Sequence, residues 1–434
     1  MKNINIKIFK DNIIANKVYD IILNTNKSLF LTGKAGTGKS TLLKCILKDV
    51  KKKFIVLAPT GVAAKNVEGL TIHSFFKIPY HLITSNFKLV NEIVYKTEEL
   101  LLIRELELIV IDEVSMMNSV MLDVIDRLLR KHRNSLKPFG GVQILLIGDP
   151  LQLPPIVKDE ELRIIKNHWD SVYFFDSKCF KNAIKNIFEL TICYRQNDSF
   201  FINILDGMRT NTLADNEFEI LNRICKENNE TINSNKSILI TPHNKIARFE
   251  NQNRLNKIKG KTFEYISLEA GTFNKNDCNA EVLLKLKTGS KVMFIKNNKF
   301  RGYTNGTLGI VEELYEDVIV VRTEDNAIIN VLREEWIEYK YGINLITGEF
   351  EKNEIGIFSQ FPLKLGWAIT VNKSQGLTFD SIHLDFRWGA FSTGQTYVAF
   401  SRCKSIEKIT TSTPILKKDV FVDPRLINFY KSIY

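Results

Sequence analysis

The residues Gly33-Lys34-Ala35-Gly36-Thr37-Gly38-Lys39-Ser40 carry the most readable chemistry in the chain. They fit the pattern G-x-x-x-x-G-K-[ST], follow a strand-like apolar run and open a helix-like one. In such a loop the backbone N–H groups converge on one concavity and cradle phosphate oxygens, and side chains in place of the glycines would block that approach. The positive end of the following helix adds to the attraction. Gly33, Ala35, Gly36, Thr37, Gly38, Lys39, Ser40 and Thr41 are therefore the candidate nucleotide contacts. Lys39 is expected at the β- and γ-phosphates, and the Ser40 hydroxyl at Mg2+.

Two further constellations belong with this loop. Asp112-Glu113 follows the apolar run Ile109-Val110-Ile111. A carboxylate at the end of a buried strand meets a phosphate loop at the same sheet edge. Asp112 is expected to hold Mg2+ through water, and Glu113 to orient and deprotonate an attacking water near the γ-phosphate. By itself an Asp-Glu pair after apolar residues is a solvated strand end; beside a phosphate loop it implies hydrolysis. Gly148-Asp149-Pro150-Leu151-Gln152 ends another apolar run. Gln152 either accepts the attacking water or senses the γ-phosphate, or else sits exposed in a Pro-rich turn.

Positioning these groups requires an open α/β sheet. Ser28–Thr32, Phe54–Ala58, Leu108–Asp112 and Ile144–Gly148 are short and mostly continuously apolar, the pattern of parallel strands covered on both faces. Thr41–Val50 places Leu42, Leu43, Ile46, Leu47 and Val50 on one helical side. A second α/β unit is split: Ser237–Thr241, Ser381–Asp385 and Lys408–Ser412 read as strands, Lys364–Gln375 and Gly394–Arg402 as helices. Between them, from about Thr272 to Glu354, short strands bounded by Gly, Asn and Asp predict an inserted antiparallel barrel.

The chain has 434 residues, 25% charged and 44% hydrophobic, which excludes disordered, collagen-like and disulfide-stapled classes. Sixty Lys plus Arg oppose 49 Asp plus Glu, a formal charge of +11. That balance suits work on phosphate backbones and equally suits a soluble lysine-rich surface. Six scattered cysteines without a C-x-x-C pair fit reduced thiols and a cytoplasmic location. The first residues do not read as a signal peptide, and no apolar run approaches the ~20 residues of a membrane span.

Further segments become readable together. Ala58-Pro59-Thr60-Gly61-Val62-Ala63-Ala64, Thr71-Ile72-His73-Ser74-Phe75, Asp112-Glu113-Val114-Ser115-Met116, Tyr194-Arg195-Gln196, Lys373-Ser374-Gln375-Gly376 and Tyr397-Val398-Ala399-Phe400-Ser401-Arg402 occur in that order with the phosphate loop and the Gln152 segment. From about residue 28 to near the end, the chain resembles the Pif (petite integration frequency) group of helicase superfamily one and its RecD-type relatives. The resemblance implies two RecA-like domains, residues 1–188 and 189–271 with 355–434, and ATP between them. It implies a small wedge insertion at about 64–80 and an SH3-like β-barrel at 272–354. Lys39, Asp112, Glu113 and Gln152 would serve hydrolysis from the first domain, and Arg195, Arg402 and Gly376 from the second. Thr60, Gly61, His73, Ser74 and Phe75, then Thr241, Asn244, Asn372, Lys373 and Ser374, match DNA contacts. A basic cluster in the insertion, Lys285, Lys287, Lys291, Lys296, Lys299 and Arg301, is either a phosphate track or a solvated strand face.

The implied activity is ATP-dependent 5′-to-3′ translocation on single-stranded DNA and unwinding of forked or tailed duplexes, in replication, repair or recombination. G-quadruplex DNA is a further implied substrate, and a monomeric motor the implied form. Two departures stand out. No Gln lies upstream of the phosphate loop to read adenine, and Asn372 replaces the usual His. A P-loop kinase or packaging motor, and a degenerate DNA-binding adaptor, are the competing readings. Arg195 and Arg402 argue against the first, the intact Lys39, Asp112 and Glu113 against the second.

Overall fold

A computed structural model describes residues 12–79, 90, 92–196, 198–232, 237–275, 278–298, 300–343 and 350–433. Its contacts divide the chain into two units: residues 1–195, 339–353 and 424–434 form the first, and residues 196–338 and 354–423 the second.

The first unit is built on six parallel strands. These are β1 (Leu29–Gly33), β2 (Phe54–Ala58), β3 (Leu70–Thr71), β4 (Leu108–Ile111), β5 (Gln143–Ile147) and β6 (Asn186–Leu190), in the order β3-β2-β4-β5-β1-β6. Leu31 lies opposite Ile147, and Ile111 opposite Leu146. The central strands are fully buried, as their mostly apolar runs require. Helices Ile13–Asn24 and Lys39–Asp49 cover one face through Val18, Ile22, Leu42 and Ile46. Residues 64–79 contain the end of helix Gly61–Asn66, edge strand β3 and helix Ile72–Phe76. The wedge expected at about 64–80 thus overlaps the sheet edge, and its residue 80 lies outside the described residues.

Helix Pro424–Lys431 also belongs to the first unit. Phe429 stacks on Phe175 at 3.9 Å and 4° between ring planes, with Phe174, Phe180 and Phe30 around it. Arg425 pairs with the buried Asp176, which also accepts from Lys181 at 2.9 Å and Ser171 at 2.5 Å.

The second unit contains four parallel strands, β7 (Ile238–Thr241), β18 (Ala368–Thr370), β19 (Ile382–Leu384) and β20 (Ile409–Thr411), in the order β18-β7-β19-β20. The inserted region has its own core of Leu284, Val292, Phe294, Val321 and Phe361 among others. Around it lies an antiparallel sheet of β11 (Lys291–Phe294), β12 (Leu308–Leu314), β13 (Ile319–Thr323), β14 (Ile328–Val331) and β17 (Leu363–Leu365). The order β14-β13-β12-β11-β17 leaves β14 and β17 as its edges among the described residues. Strands β8 (Phe263–Ile266) and β10 (Leu283–Leu286) pair beside it. Strands β15 (Glu334–Ile343) and β16 (Phe350–Gln360), with β9 (Leu268–Gly271), form a third, three-stranded sheet. Lys340 and Phe350 group with the first unit, where Lys340 pairs with Glu99 at 3.0 Å and Lys53 lies 5.8 Å from the Phe350 ring.

The segment Lys364–Gln375 is not one helix. It contains the end of β17, then β18, then the four-residue helix Val371–Ser374. Gly366 separates the strands where a Cβ would stand 2.6 Å from the Val292 carbonyl carbon. The close backbone approach turns the chain, and β-sheet pairing overrides the local helical spacing.

Candidate nucleotide and nucleic-acid sites

In the first unit the loops after β1, β4, β5 and β6 leave neighbouring strands at one sheet edge. The phosphate loop follows β1, with Gly36 and Gly38 at φ +81° and +88°, where a side chain is strained. Thr37 is buried and donates to the Lys34 carbonyl at 2.9 Å, which closes the turn. Lys39 opens helix Lys39–Asp49, and its ammonium donates to the carbonyls of Gly33 at 2.5 Å and Lys34 at 2.9 Å. Ser40 and Thr41, at the exposed start of the helix, follow it.

Asp112 is buried after β4, its N–H bonded to the Leu57 carbonyl at 2.9 Å. Burial pushes its carboxyl pKa up, the neighbouring Glu113 charge pushes it further, and Lys39 works the other way. Glu113 takes φ +51°, a conformation that a non-glycine residue adopts only when its surroundings fix it. Gly148 follows β5 and lies against this turn; a Cβ there would meet the Val114 nitrogen at 3.0 Å. Gln152 is buried and not an exposed turn residue. Its side-chain amide donates to Asp149 at 3.4 Å, and Asp149 also accepts from the Leu151 N–H at 3.2 Å. Ser40 and Asp112 are a hydroxyl and a carboxylate, hard oxygen donors of the kind Mg2+ takes together with phosphate oxygens.

Arg195 follows β6 and groups with the first unit, although the resemblance assigned it to the second domain. Tyr194 donates its N–H to the Gly36 carbonyl at 2.9 Å, and a Cβ on Gly36 would lie 2.5 Å from the Arg195 Cβ. The arginine backbone is therefore fixed against the phosphate loop. The other candidates follow β2 and β3. Thr60 caps helix Gly61–Asn66 by accepting from Ala63 N–H at 3.2 Å. His73 is half-buried, with Nδ1 2.8 Å from the Ile78 carbonyl. Ser74 is exposed, and Phe75 is half-buried with its ring edge-on to Phe76 at 4.8 Å.

In the second unit the candidates after β7 and β18 sort by burial. Thr241 and Ser374 are fully buried; Thr241 accepts from the His243 N–H at 3.4 Å and Ser374 donates to the Val371 carbonyl at 2.8 Å. These two hydroxyls brace the loops. Asn244 and Lys373 are exposed and Asn372 half-buried. Gly376 is exposed with φ +80°. Arg402 is 1% exposed; its guanidinium donates to the carbonyls of Val398 at 2.8 Å, Leu377 at 3.2 Å and Ser374 at 3.4 Å, and to Ser401 Oγ at 2.7 Å. It joins the helix Gln395–Phe400 to the segment carrying Lys373 and Gly376.

A crystal structure of Bacteroides sp Pif1 in complex with ADP-AlF4 is 37% identical to this chain, covers 97% of it and 96% of its own length, and superposes with a TM-score of 0.88. The chain belongs to the PIF1-like helicase family. The family model of that name matches residues 8–216. The Bacteroides Pif1 structure bound to ssDNA is 36% identical, with a TM-score of 0.71, over 97% of this chain and 96% of that one. The ATP-dependent DNA helicase PIF1 of Danio rerio is 32% identical over 395 residues, 88% of this chain and 58% of the relative. The chain thus spans less than two thirds of that relative's length.

Within this PIF1-like chain, the inserted lysines are largely committed to internal partners. Lys285 pairs with Glu264 at 2.7 Å, Lys287 donates to the Ile258 carbonyl at 2.8 Å, and Lys296 pairs with Glu334 at 3.2 Å. Lys291 is buried, donates to the Ser237 carbonyl at 3.2 Å, and is pushed down to about 8 by burial against the opposing charge of Glu324. Lys299 lies outside the described residues. Sequence reasoning overlooked Asp149, the buried carboxylate that orients Gln152. Its signal was an Asp before Pro at a strand end, where an Asp caps its own turn. Among the described residues no group of three or more His, Cys, Asp or Glu could hold a metal ion, and no helix is long and apolar enough to cross a membrane.

Proposed function

We propose that the chain is an ATP-dependent DNA helicase that translocates 5′ to 3′ on single-stranded DNA and opens forked or tailed duplexes. The observation that carries the reading is the convergence of Lys39, Asp112 with Glu113, and Gln152 at adjacent strand ends of one parallel sheet. That arrangement joins phosphate binding to activation of a water. The ADP-AlF4 and ssDNA complexes of Bacteroides Pif1 support nucleotide and single-stranded DNA among its substrates.

In this reading the backbone N–H groups of Gly33–Ser40 and the Lys39 ammonium bind the ATP phosphates. Lys39 exchanges its two carbonyl acceptors for phosphate oxygens. Glu113 takes the proton of the attacking water, and Gln152, held by Asp149, fixes that water in line. Ser40 and Asp112 would hold Mg2+, which when bound offsets charge on the β- and γ-phosphate oxygens. Arg195 and Arg402 stabilise charge on the transferring phosphoryl group. Arg402 can do so only after leaving the buried acceptors that now hold it. Thr60, His73, Ser74 and Phe75 in one unit, and Asn244, Asn372 and Lys373 in the other, contact the strand. The chain works as a monomer in the cytoplasm, and G-quadruplex DNA is among its substrates.

A strand-displacement assay on 5′-tailed and 3′-tailed duplexes tests activity and polarity together. ATP-dependent release from the 5′-tailed substrate alone is expected. Release from the 3′-tailed duplex alone overturns the polarity. ATP hydrolysis indifferent to single-stranded DNA, with neither duplex opened, overturns the helicase reading in favour of a nucleotide kinase or packaging motor.

A further inference from the structure

His243, Trp388 and Phe391 form an aromatic cluster on the second unit. The His243 ring lies 5.4 Å from Trp388 and 5.2 Å from Phe391, and its Nε2 is 3.0 Å from the Gly389 carbonyl. Trp388 is 63% exposed and Phe391 62%. The loop that presents them is braced at several points. Arg387 grips the buried Asp385 with contacts of 2.6 to 3.0 Å, Phe391 donates its N–H to Gln395 Oε1 at 3.0 Å, and Gly389 takes φ +72°. Two large aromatics held in water by a fixed loop forgo burial, which marks a surface built for contact.

The sheet says what lies beside them. Strand β7 pairs in parallel with β18, Thr241 opposite Thr370, and with β19, Ile240 opposite Leu384. The turn carrying His243 and Asn244, the helix carrying Asn372 and Lys373, and the Trp388 loop therefore leave three neighbouring strands at one carboxyl edge. Ligands of open α/β sheets bind at that edge. An ammonium and amides there suit phosphates, and flat aromatic faces suit the bases attached to them.

We propose that Trp388 and Phe391 are a stacking platform for the bases of the single strand, continuous with Asn244 and Lys373. The proposal rests on the helicase reading above. Stacking on a π-face discriminates little between bases, as a motor that must pass every sequence requires. A protein partner covering the same aromatics is the competing occupant.

The chain reports on this surface directly. All four tryptophans are described, and Trp169, Trp336 and Trp367 are each less than 10% exposed, so Trp388 alone is open to an added strand. Oligo-dT is titrated against intrinsic fluorescence, alongside a strand of equal length whose residues are abasic. Quenching by oligo-dT and none by the abasic strand is expected. Trp388→Ala should remove the quench and weaken oligo-dT binding by about ten-fold, measured by anisotropy, with abasic binding and melting temperature unchanged. Trp388→Phe should restore most of the affinity. Oligo-dT binding that is tight but unchanged in Trp388→Ala and Phe391→Ala overturns the platform while leaving the helicase reading intact. Failure of the wild-type chain to bind either strand overturns the helicase reading itself.

Discussion

Lys39 and Arg402 show how differently two cations of one chain can be held. The Lys39 ammonium rests on two loop carbonyls at a partly open position, so a phosphate can replace them with little loss. Lys39→Ala should abolish ATP hydrolysis and leave single-stranded DNA binding in place; an ATPase assay beside anisotropy checks both. Unwinding that persists in this variant would show the motor site to be misassigned. Arg402 has carbonyl and hydroxyl acceptors on every side. Removing it strands those groups, so Arg402→Ala should cost about 2–4 kcal/mol of stability in urea unfolding, besides slowing hydrolysis. Unchanged stability would mean that the arginine serves the phosphate alone. The phosphate loop, Asp112, Glu113 and Gln152 were legible in the sequence because backbone-cradle chemistry ties residue type to spacing. The inward aim of Arg402, Thr241 and Ser374 was not, since a motif names a side chain without its rotamer. The exposure of Trp388 was hidden for the same reason.

At the scale of elements, one threonine pattern recurs. Strands β2, β3 and β18 each lead into a short helix through a Thr at the helix start, namely Thr60, Thr71 and Thr370, whose hydroxyls accept from N–H groups three residues on. Such caps fix where a helix too short to stand alone begins, and so where His73, Ser74, Asn372 and Lys373 sit. Continuous apolar strands were legible from the sequence; Lys364–Gln375 was not, because its helical spacing is outvoted by pairing with β11 and β7. Helix Thr97–Glu105 is held in another way. Burial would raise the Glu99 carboxyl, but hydrogen bonds from Lys77, the Lys96 N–H and Lys340 outweigh it and hold the pKa at about 2. The unfolded carboxyl titrates near 4.5, so its stabilisation is complete above that pH and is lost as pH falls toward 2. The lysines are more than a third exposed, which discounts the effect to about 1–2 kcal/mol. Glu99→Gln should lose that stability at neutral pH and flatten the acid limb of a stability–pH curve; an unchanged limb would show that the carboxylate is not coupled to folding.

For the whole molecule, connectivity matters most. The chain passes from first unit to second, back for residues 339–353, out again, and returns for residues 424–434. Neither unit is therefore a continuous stretch of sequence, and composition along the chain gave no sign of the last return. Helix Pro424–Lys431 seals the aromatic cluster around Phe174, Phe175 and Phe180 and supplies Arg425 to Asp176. Phe429→Ala should lower the stability of the first unit by about 2 kcal/mol and speed proteolysis near Phe175. Cleavage rates matching the parent chain would mean the helix is only laid on the surface. Arg425 follows Asp176 by 249 residues, and the whole second unit is translated between them. At ~5–20 residues per second, the phenylalanine face on the nascent chain waits roughly 10 to 50 seconds for its cover. The last residues to leave the ribosome are thus the ones that finish the first unit, and until they emerge an apolar face of that unit stands open to water.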